Sequence, residues 1–377
     1  MRVAHFAKYT FIRIGGVERH VATLTRALAS RGIDVTVFSY DPTGTAEPAE
    51  IDGVHFEPVP TLLNIASQSI APSLLSRCRR NARLKPFDLI HQHWPDPFAH
   101  FAATFAPGQP AHLVSWHSDI VRQKFIAPFY RNLAKAVLVK PDALIGATQS
   151  HITSPQIDSF VSRQNRHVIP YSIDARPFLP NPRTSEAARA LRAKYNYRPL
   201  VFALGRHVYY KGFDSLLEAM DGVPAILVLG GTGPLTQLLK EKATALRIDV
   251  DFVGEIPEPL LPIYYHACNV FCLPSVAQTE AFGLVQVEAM ACSKPIVNTS
   301  LKNGVNEVAP HGLCALTVAP GDVRALRNAL CRLIQDDALA AKLGSAGYRR
   351  LIADYSTDSM LEKTIALYEM VIRTRQR

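Results

Sequence analysis

Four short segments of this 377-residue chain carry residue types that can hold a phosphate or a sugar, each where a strand-like run ends. The most informative is Glu280-Ala281-Phe282-Gly283-Leu284-Val285-Gln286-Val287-Glu288. Its first glutamate falls in a loop and its second lies two turns into a helix that Gly283 opens. The N–H groups of Gly283, Leu284 and Val285 at that helix start can point at an anion. Carboxylates on either side of them accept strong hydrogen bonds from sugar and ribose hydroxyls. A ligand that is part diphosphate and part polyol calls for that combination, whereas an ordinary amphipathic helix needs no acid at either place.

The second segment is Gly205-Arg206-His207-Val208-Tyr209-Tyr210-Lys211-Gly212. Cations just before a helix oppose its macrodipole, so an anion is expected between them. Arg206 offers a planar fork and Lys211 a point charge, a pair suited to a diphosphate. The third, Gly230-Gly231-Thr232-Gly233, and the fourth, Gly15-Gly16-Val17-Glu18-Arg19, let backbone approach a ligand closely. Both also read as simple tight turns. Two metal-like spacings are decoys. Asp249-Val250-Asp251 sits at the start of a strand, away from the ligand edge, and His91-x-His93 has no acidic or thiol third ligand at a suitable spacing.

The elements that must position these loops alternate short β-branched runs with longer amphipathic segments, the pattern of an α/β protein with parallel sheets. Strands are expected at Val3–Ala7, Asp34–Ser39, Leu89–Gln92, His112–Trp116 and Ala143–Ala147, with a first helix from Gly16 to Ser30. A stretch with Pro170, Pro177, Pro180 and Pro182 reads as a stiff linker. The alternation then restarts with Leu200–Leu204, Ala225–Leu229, Asp251–Val253, Val270–Leu273 and Pro295–Asn298 as strands. Two doubly wound domains follow, over 1–175 and 176–355, with ligands at the carboxyl ends of the strands.

Composition bounds the rest. Forty-eight per cent of residues are hydrophobic and 19% charged, the balance of a folded protein. No apolar run reaches the roughly 18–20 residues that span a bilayer, and the first residues lack a signal-peptide pattern, so a cytoplasmic location is expected. The six cysteines form no C-x-x-C pair and read as buried thiols. A net charge of +9 is compatible with anionic partners. The densest basic stretch, Leu74 to Lys85, holds Arg77, Arg79, Arg80 and Arg83 with Leu74, Leu75 and Leu84 as a partial apolar stripe. It reads either as a solvated helix face or as peripheral contact with an anionic membrane. Nothing resembles a nucleic-acid-binding module, and no nucleic-acid partner is expected.

Taken together, the segment from Glu280 to Glu288 and the Gly205-Arg206 and Tyr210-Lys211-Gly212 loop resemble the retaining glycosyltransferases of family 4 over almost the whole chain. Trp94-Pro95-Asp96-Pro97, Trp116-His117-Ser118-Asp119 and Tyr209-Tyr210-Lys211-Gly212-Phe213 look like the bacterial mannosyl- and rhamnosyltransferases of O-antigen and related polysaccharides. The resemblance implies the GT-B fold, two Rossmann-like domains facing across a cleft, with the terminal helix (356–377) crossing back to the first domain. It implies a GDP-linked hexose as donor, a lipid-linked saccharide as acceptor, and no metal or other cofactor.

By the same resemblance, His117, Arg206, Lys211 and Glu280 stand at the reaction centre. Gly15, Gly16, Gly205, Gly231, Gly233, Ile256, Phe282, Gly283, Leu284, Val285 and Glu288 line the donor site. Glu18 and Asp119 face the acceptor. The segment Leu301 to Glu307 departs from the glycine-threonine-glycine run that relatives often carry, and bears on sugar or acceptor choice. No side chain stands out as a nucleophile for a two-step route, which leaves front-face attack as the expected mechanism. A nucleotide-sugar epimerase of the same fold and a non-catalytic partner subunit are the alternatives.

Overall fold

The computed structural model of the chain describes residues 1–7, 16–65, 68–117, 140–153, 157 and 161–376. Gly15 and Asp119 lie outside the described residues. The rest divides into two units, Met1–Ser172 with Thr357–Arg377, and Ile173–Ser356.

In the first unit the strands are β1 (Arg2–Ala7), β2 (Asp34–Asp41), β3 (Ala49–Ile51), β4 (Val54–Pro60), β7 (Leu89–Trp94), β8 (Ala111–Trp116), β9 (Ala143–Gly146) and β10 (Arg166–Val168). They form one sheet in the order β10-β9-β8-β7-β1-β2-β4-β3, parallel except where β3 meets β4. A separate antiparallel hairpin pairs β5 (Leu63–Ile65) with β6 (Gln68–Ile70). The helices are α1 (Gly16–Ser30), α2 (Ser73–Leu84), α3 (Pro97–Thr104), the single turn α4 (Gln149–Ile152) and, at the other end of the chain, Thr357–Arg375.

Strand alternation sorts β1 onto two faces. Ala4 and Phe6 join Leu74, Cys78, Ala82 and Ala99 on the side of α2 and α3. Val3 and Ala7 join Leu24 and Leu28 of α1 and Met360, Leu361, Leu367, Tyr368 and Val371 of the terminal helix on the other side. Burial of each of these large aliphatic side chains contributes about 1.5–3 kcal/mol. The same period of two puts His5, His91, His93 and Ser115 on the second face, amid that apolar layer. The buried stripe of α2 is Leu74, Cys78 and Ala82, four residues apart. Leu84 is not part of it: at the last turn it is 84% exposed, beyond the reach of the sheet.

The second unit adds α5 (Pro182–Lys194), β11 (Leu200–Leu204), α6 (Phe213–Ala219), β12 (Ile226–Gly230), α7 (Thr236–Leu246), β13 (Val250–Gly254), α8 (Leu261–Ala267) and β14 (Val270–Leu273). It continues with α9 (Leu284–Ala291), β15 (Ile296–Thr299), α10 (Gly304–Val308), β16 (Ala315–Val318), α11 (Val323–Gln335) and α12 (Asp337–Arg350); Thr357–Arg375 of the first unit is then α13. Its all-parallel sheet runs β13-β12-β11-β14-β15-β16. In both sheets the chain winds outward on one side and then returns to the strand beside its start. The strand order therefore reverses between β1 and β7 in one unit and between β11 and β14 in the other. Crevices form at such points, outside the carboxyl ends of the strands. Among the described residues, no helix is long and apolar enough to cross a membrane.

Candidate functional site

In the second unit the loops after β11 and β14 meet at the reversal point. The Val276 N–H donates to the Tyr210 carbonyl at 2.8 Å, stitching the two loops together. Gly212 has φ +67°, and a Cβ there would fall 2.1 Å from the Pro274 carbonyl oxygen, so only glycine lets the loops close this tightly. The result is an ion pair across the reversal: Lys211 Nζ donates to Glu280 Oε2 at 2.5 Å, with both side chains about nine-tenths buried. Ser275 Oγ donates to the same oxygen at 3.2 Å. Glu280 Oε1 has no recorded partner among the described residues and keeps its accepting capacity. Arg206, five residues before Lys211, is exposed, and its guanidinium forms no ion pair or hydrogen bond among the described residues.

Backbone geometry finishes this site. Gly283 stands in the left-handed region at φ +74° and caps α9, whose first N–H groups, those of Leu284 and Val285, are the ones a helix leaves unpaired. Phe282 is buried beneath the turn, with Tyr355 edge-on to its ring. Glu288, about one turn into α9 and not the two expected, is 1% exposed, and its Oε2 accepts from Tyr265 Oη at 2.7 Å. Gly231 and Gly233 back onto the first loop, where a Cβ would come within 2.1 and 2.5 Å of the carbonyl oxygens of Gly205 and His207. Ile256 follows β13 beside Gly230, half-buried.

Several residues that hold this arrangement escaped sequence reasoning. Gln286 donates to the carbonyls of Phe282 and Val305 and accepts from Asn298 at 2.9 Å, a buried network under the turn. Asn303 caps α10 and its amide donates to the Glu280 carbonyl at 2.7 Å. The unusual segment from Leu301 to Glu307 thus supports the backbone of Glu280. A polar residue amid the apolar run of α9 was the signal for Gln286; nothing local pointed to Asn303. The Asp249 and Asp251 carboxylates are engaged elsewhere, by Arg198 at 2.7 Å and by Lys194 and Tyr195 at 2.7 Å each.

In the first unit Gly16 opens α1 and Glu18 lies in its first turn, partly buried. His117 follows β8 and is 6% exposed. Its Nε2 meets His93 Nδ1 at 2.9 Å, and its Nδ1 hydrogen-bonds the Tyr171 hydroxyl. The His91-x-His93 pair has a third neighbour that spacing did not reveal. This is His5 of the adjacent strand, so that three histidines offer nitrogens within 4.8 Å of one another. His20 of α1 lies 5.8 Å from the His117 ring, edge-on. Burial holds His5 and His20 down to about 3, and it holds His91, His93 and His117 well below the ordinary histidine value, with the neighbouring histidines adding to the effect in His5, His91, His93 and His117. All five are neutral at pH 7.

Two family models cover nearly the whole chain: Glycosyltransferase Family 4 over residues 14–176, and glycosyl transferases group 1 over residues 185–350. The chain is 30% identical to a D-rhamnosyltransferase of Pseudomonas aeruginosa, over 93% of this chain and 92% of that one. It is 25% identical to an O-antigen chain mannosyltransferase of Escherichia coli, with both chains covered in full. Among solved structures it superposes on a sucrose-phosphate synthase from Thermosynechococcus elongatus with a TM-score of 0.79 at 23% identity, over 99% of each chain, a likeness of fold.

Proposed function

This chain belongs to glycosyltransferase family 4 and has the GT-B fold, and we propose that it moves mannose or a related deoxyhexose, with retention, from a GDP-sugar to a lipid-linked saccharide. The observation that carries the reading is the Lys211–Glu280 pair at the strand reversal, with the exposed Arg206 beside it. D-Rhamnose is the 6-deoxy form of mannose, so the two relatives named above handle one sugar series, and that supports the choice of donor.

In this reading Arg206 and Lys211 take the diphosphate, and the N–H groups at the start of α9 add to that charge. Preformed positive charge where the nucleoside diphosphate departs is the main lever on such a barrier, worth about 10²–10³ in rate per donor. These two cations stand in place of a divalent ion. The open Oε1 of Glu280 receives a donor-sugar hydroxyl, while Lys211 and Ser275 fix the carboxylate through Oε2. Glu288 serves the ribose, Ile256 the base, and His117 the sugar. The acceptor hydroxyl attacks on the face the leaving group vacates, and the departing phosphate takes its proton. Electrons and protons balance without a covalent enzyme intermediate. Arg79, Arg80 and Arg83 are exposed on α2 and supply charge for peripheral contact with an anionic membrane, where a lipid-linked acceptor resides.

Calorimetric titration with GDP, UDP and dTDP tests this. Tight binding of GDP alone, weakened in Arg206→Gln, is the expected result. Preference for UDP or dTDP would overturn the donor while leaving the transferase.

A further inference from the structure

The buried histidines of the first unit form one continuous hydrogen-bonded chain. Ser115 Oγ meets His91 Nε2 at 2.7 Å, His91 Nδ1 meets the Tyr368 hydroxyl at 2.6 Å, and that hydroxyl meets His5 Nε2 at 3.3 Å. His5 Nδ1 then meets His93 Nε2 at 3.2 Å, His93 Nδ1 meets His117 Nε2 at 2.9 Å, and His117 Nδ1 ends the chain at the Tyr171 hydroxyl. Every ring nitrogen of His5, His91, His93 and His117 is used once.

Such a chain has a direction. A neutral imidazole has one donor and one acceptor nitrogen, and a hydroxyl donates once. If one link donates leftward, its neighbours must too, so only two patterns keep every link made. Ser115 decides between them. Its hydroxyl is buried, and among the described residues its one side-chain hydrogen bond is to His91. Were His91 the donor there, the serine proton would be left without an acceptor, which costs about 1–3 kcal/mol when buried. Ser115 therefore donates to His91, and each later member donates onward.

We propose that Ser115 and Tyr368 are positioning residues that hold the His117 proton on Nδ1, so that His117 meets the sugar as a hydrogen-bond donor and not as a base. Its Nε2 is permanently occupied as the acceptor from His93. Only the Nδ1 link can be exchanged, a sugar oxygen replacing the Tyr171 hydroxyl without disturbing the rest. The terminal helix thereby acts on the site from within its own unit, through Tyr368, His5 and His93. The inference rests on the transferase reading for the part His117 plays, but the proton's position can be read without any substrate.

The experiment is histidine ¹⁵N–¹H correlation spectroscopy on the full chain, with His117 assigned by the signals lost in His117→Asn, together with steady-state kinetics. Wild type is expected to show His117 protonated at Nδ1. Ser115→Ala and Tyr368→Phe, each removing a single oxygen, are expected to populate the Nε2–H form. They should lower kcat about tenfold, the worth of one well-placed hydrogen bond, with little change in donor KM. Ser115→Thr, which keeps the hydroxyl, should restore both readouts. An Nε2–H His117 in wild type overturns the proposal, as does a stoichiometric zinc ion co-purifying with the histidines, whose nitrogens would then be ligands. Unchanged tautomer and kcat in both deletion variants overturns it as well. If wild type shows Nδ1–H but transfers no sugar from any donor, the positioning chain stands and the transferase reading falls.

Discussion

Mild acid should unfold the first unit while leaving the second folded. Its buried histidines include His5, His20, His91, His93, His112 and His117. Burial lowers the pKa of every one, to about 3 for His5 and His20. In the unfolded chain they titrate near their ordinary value of about 6.5. Below that pH the unfolded state binds protons that the native state refuses, so the stability these groups contribute is complete above about 6.5 and is lost as pH falls towards about 3. Each histidine removes about 1.4 kcal/mol per pH unit in that window, or about 2 kcal/mol by pH 5. A domain stable by about 5–15 kcal/mol cannot absorb six such losses, so the unit should open between about pH 6 and pH 4.5. In the second unit the buried His207 and the half-buried His266 are lowered too, two groups against six. The assay is direct, because both tryptophans of the chain, Trp94 and Trp116, stack in the first unit with ring centroids 5.0 Å apart. Tryptophan emission should shift steeply between those pH values, while far-UV dichroism retains the signal of the second unit. Native emission persisting to pH 4 would refute the reasoning.

Three further outcomes follow from the second unit. Arg206→Ala should reduce transfer about 10²–10³-fold while moving unfolding free energy by no more than about 0.5 kcal/mol, as kinetics and urea denaturation would record. Lys211→Ala removes the partner of a largely buried carboxylate, so it should cost about 3 kcal/mol of stability as well as activity, and Lys211→Met with Glu280→Gln should regain the stability but not the activity. Gly212→Ala must either part the loops after β11 and β14 or strain the backbone, and should raise donor KM and lower kcat together.

Much of this was legible in the sequence. The strands Leu200–Leu204 and Val270–Leu273 and the helix Gly16–Ser30 were read to the residue, because the apolar runs stop at Gly205 and Pro274 and the helix stops just before Gly32. The exposed strand β3, Ala-Glu-Ile, has no buried face to leave a pattern. Local spacing singled out Lys211, Glu280 and Gly283 as candidates, since loop chemistry and helix starts leave local marks. It could not reveal that Lys211 and Glu280 pair, because that depends on β14 returning beside β11. The histidine chain was hidden for the same reason. His5, His91 and Tyr368 are brought together by strand order and by α13, whereas spacing marked only the His91-x-His93 pair, as a metal-like decoy. Asp249-x-Asp251 shows the converse, a suggestive spacing that folding spends on surface ion pairs with α5 and the residues after it.

The most direct test of the account is nucleoside diphosphate release from GDP-mannose by the full chain, in EDTA, with and without a lipid-diphosphate-linked saccharide. GDP release is expected to depend on the acceptor, to be unaffected by the chelator, and to accompany a product with the donor's anomeric configuration by NMR. Turnover of the donor without acceptor, or a product of inverted configuration, would contradict it.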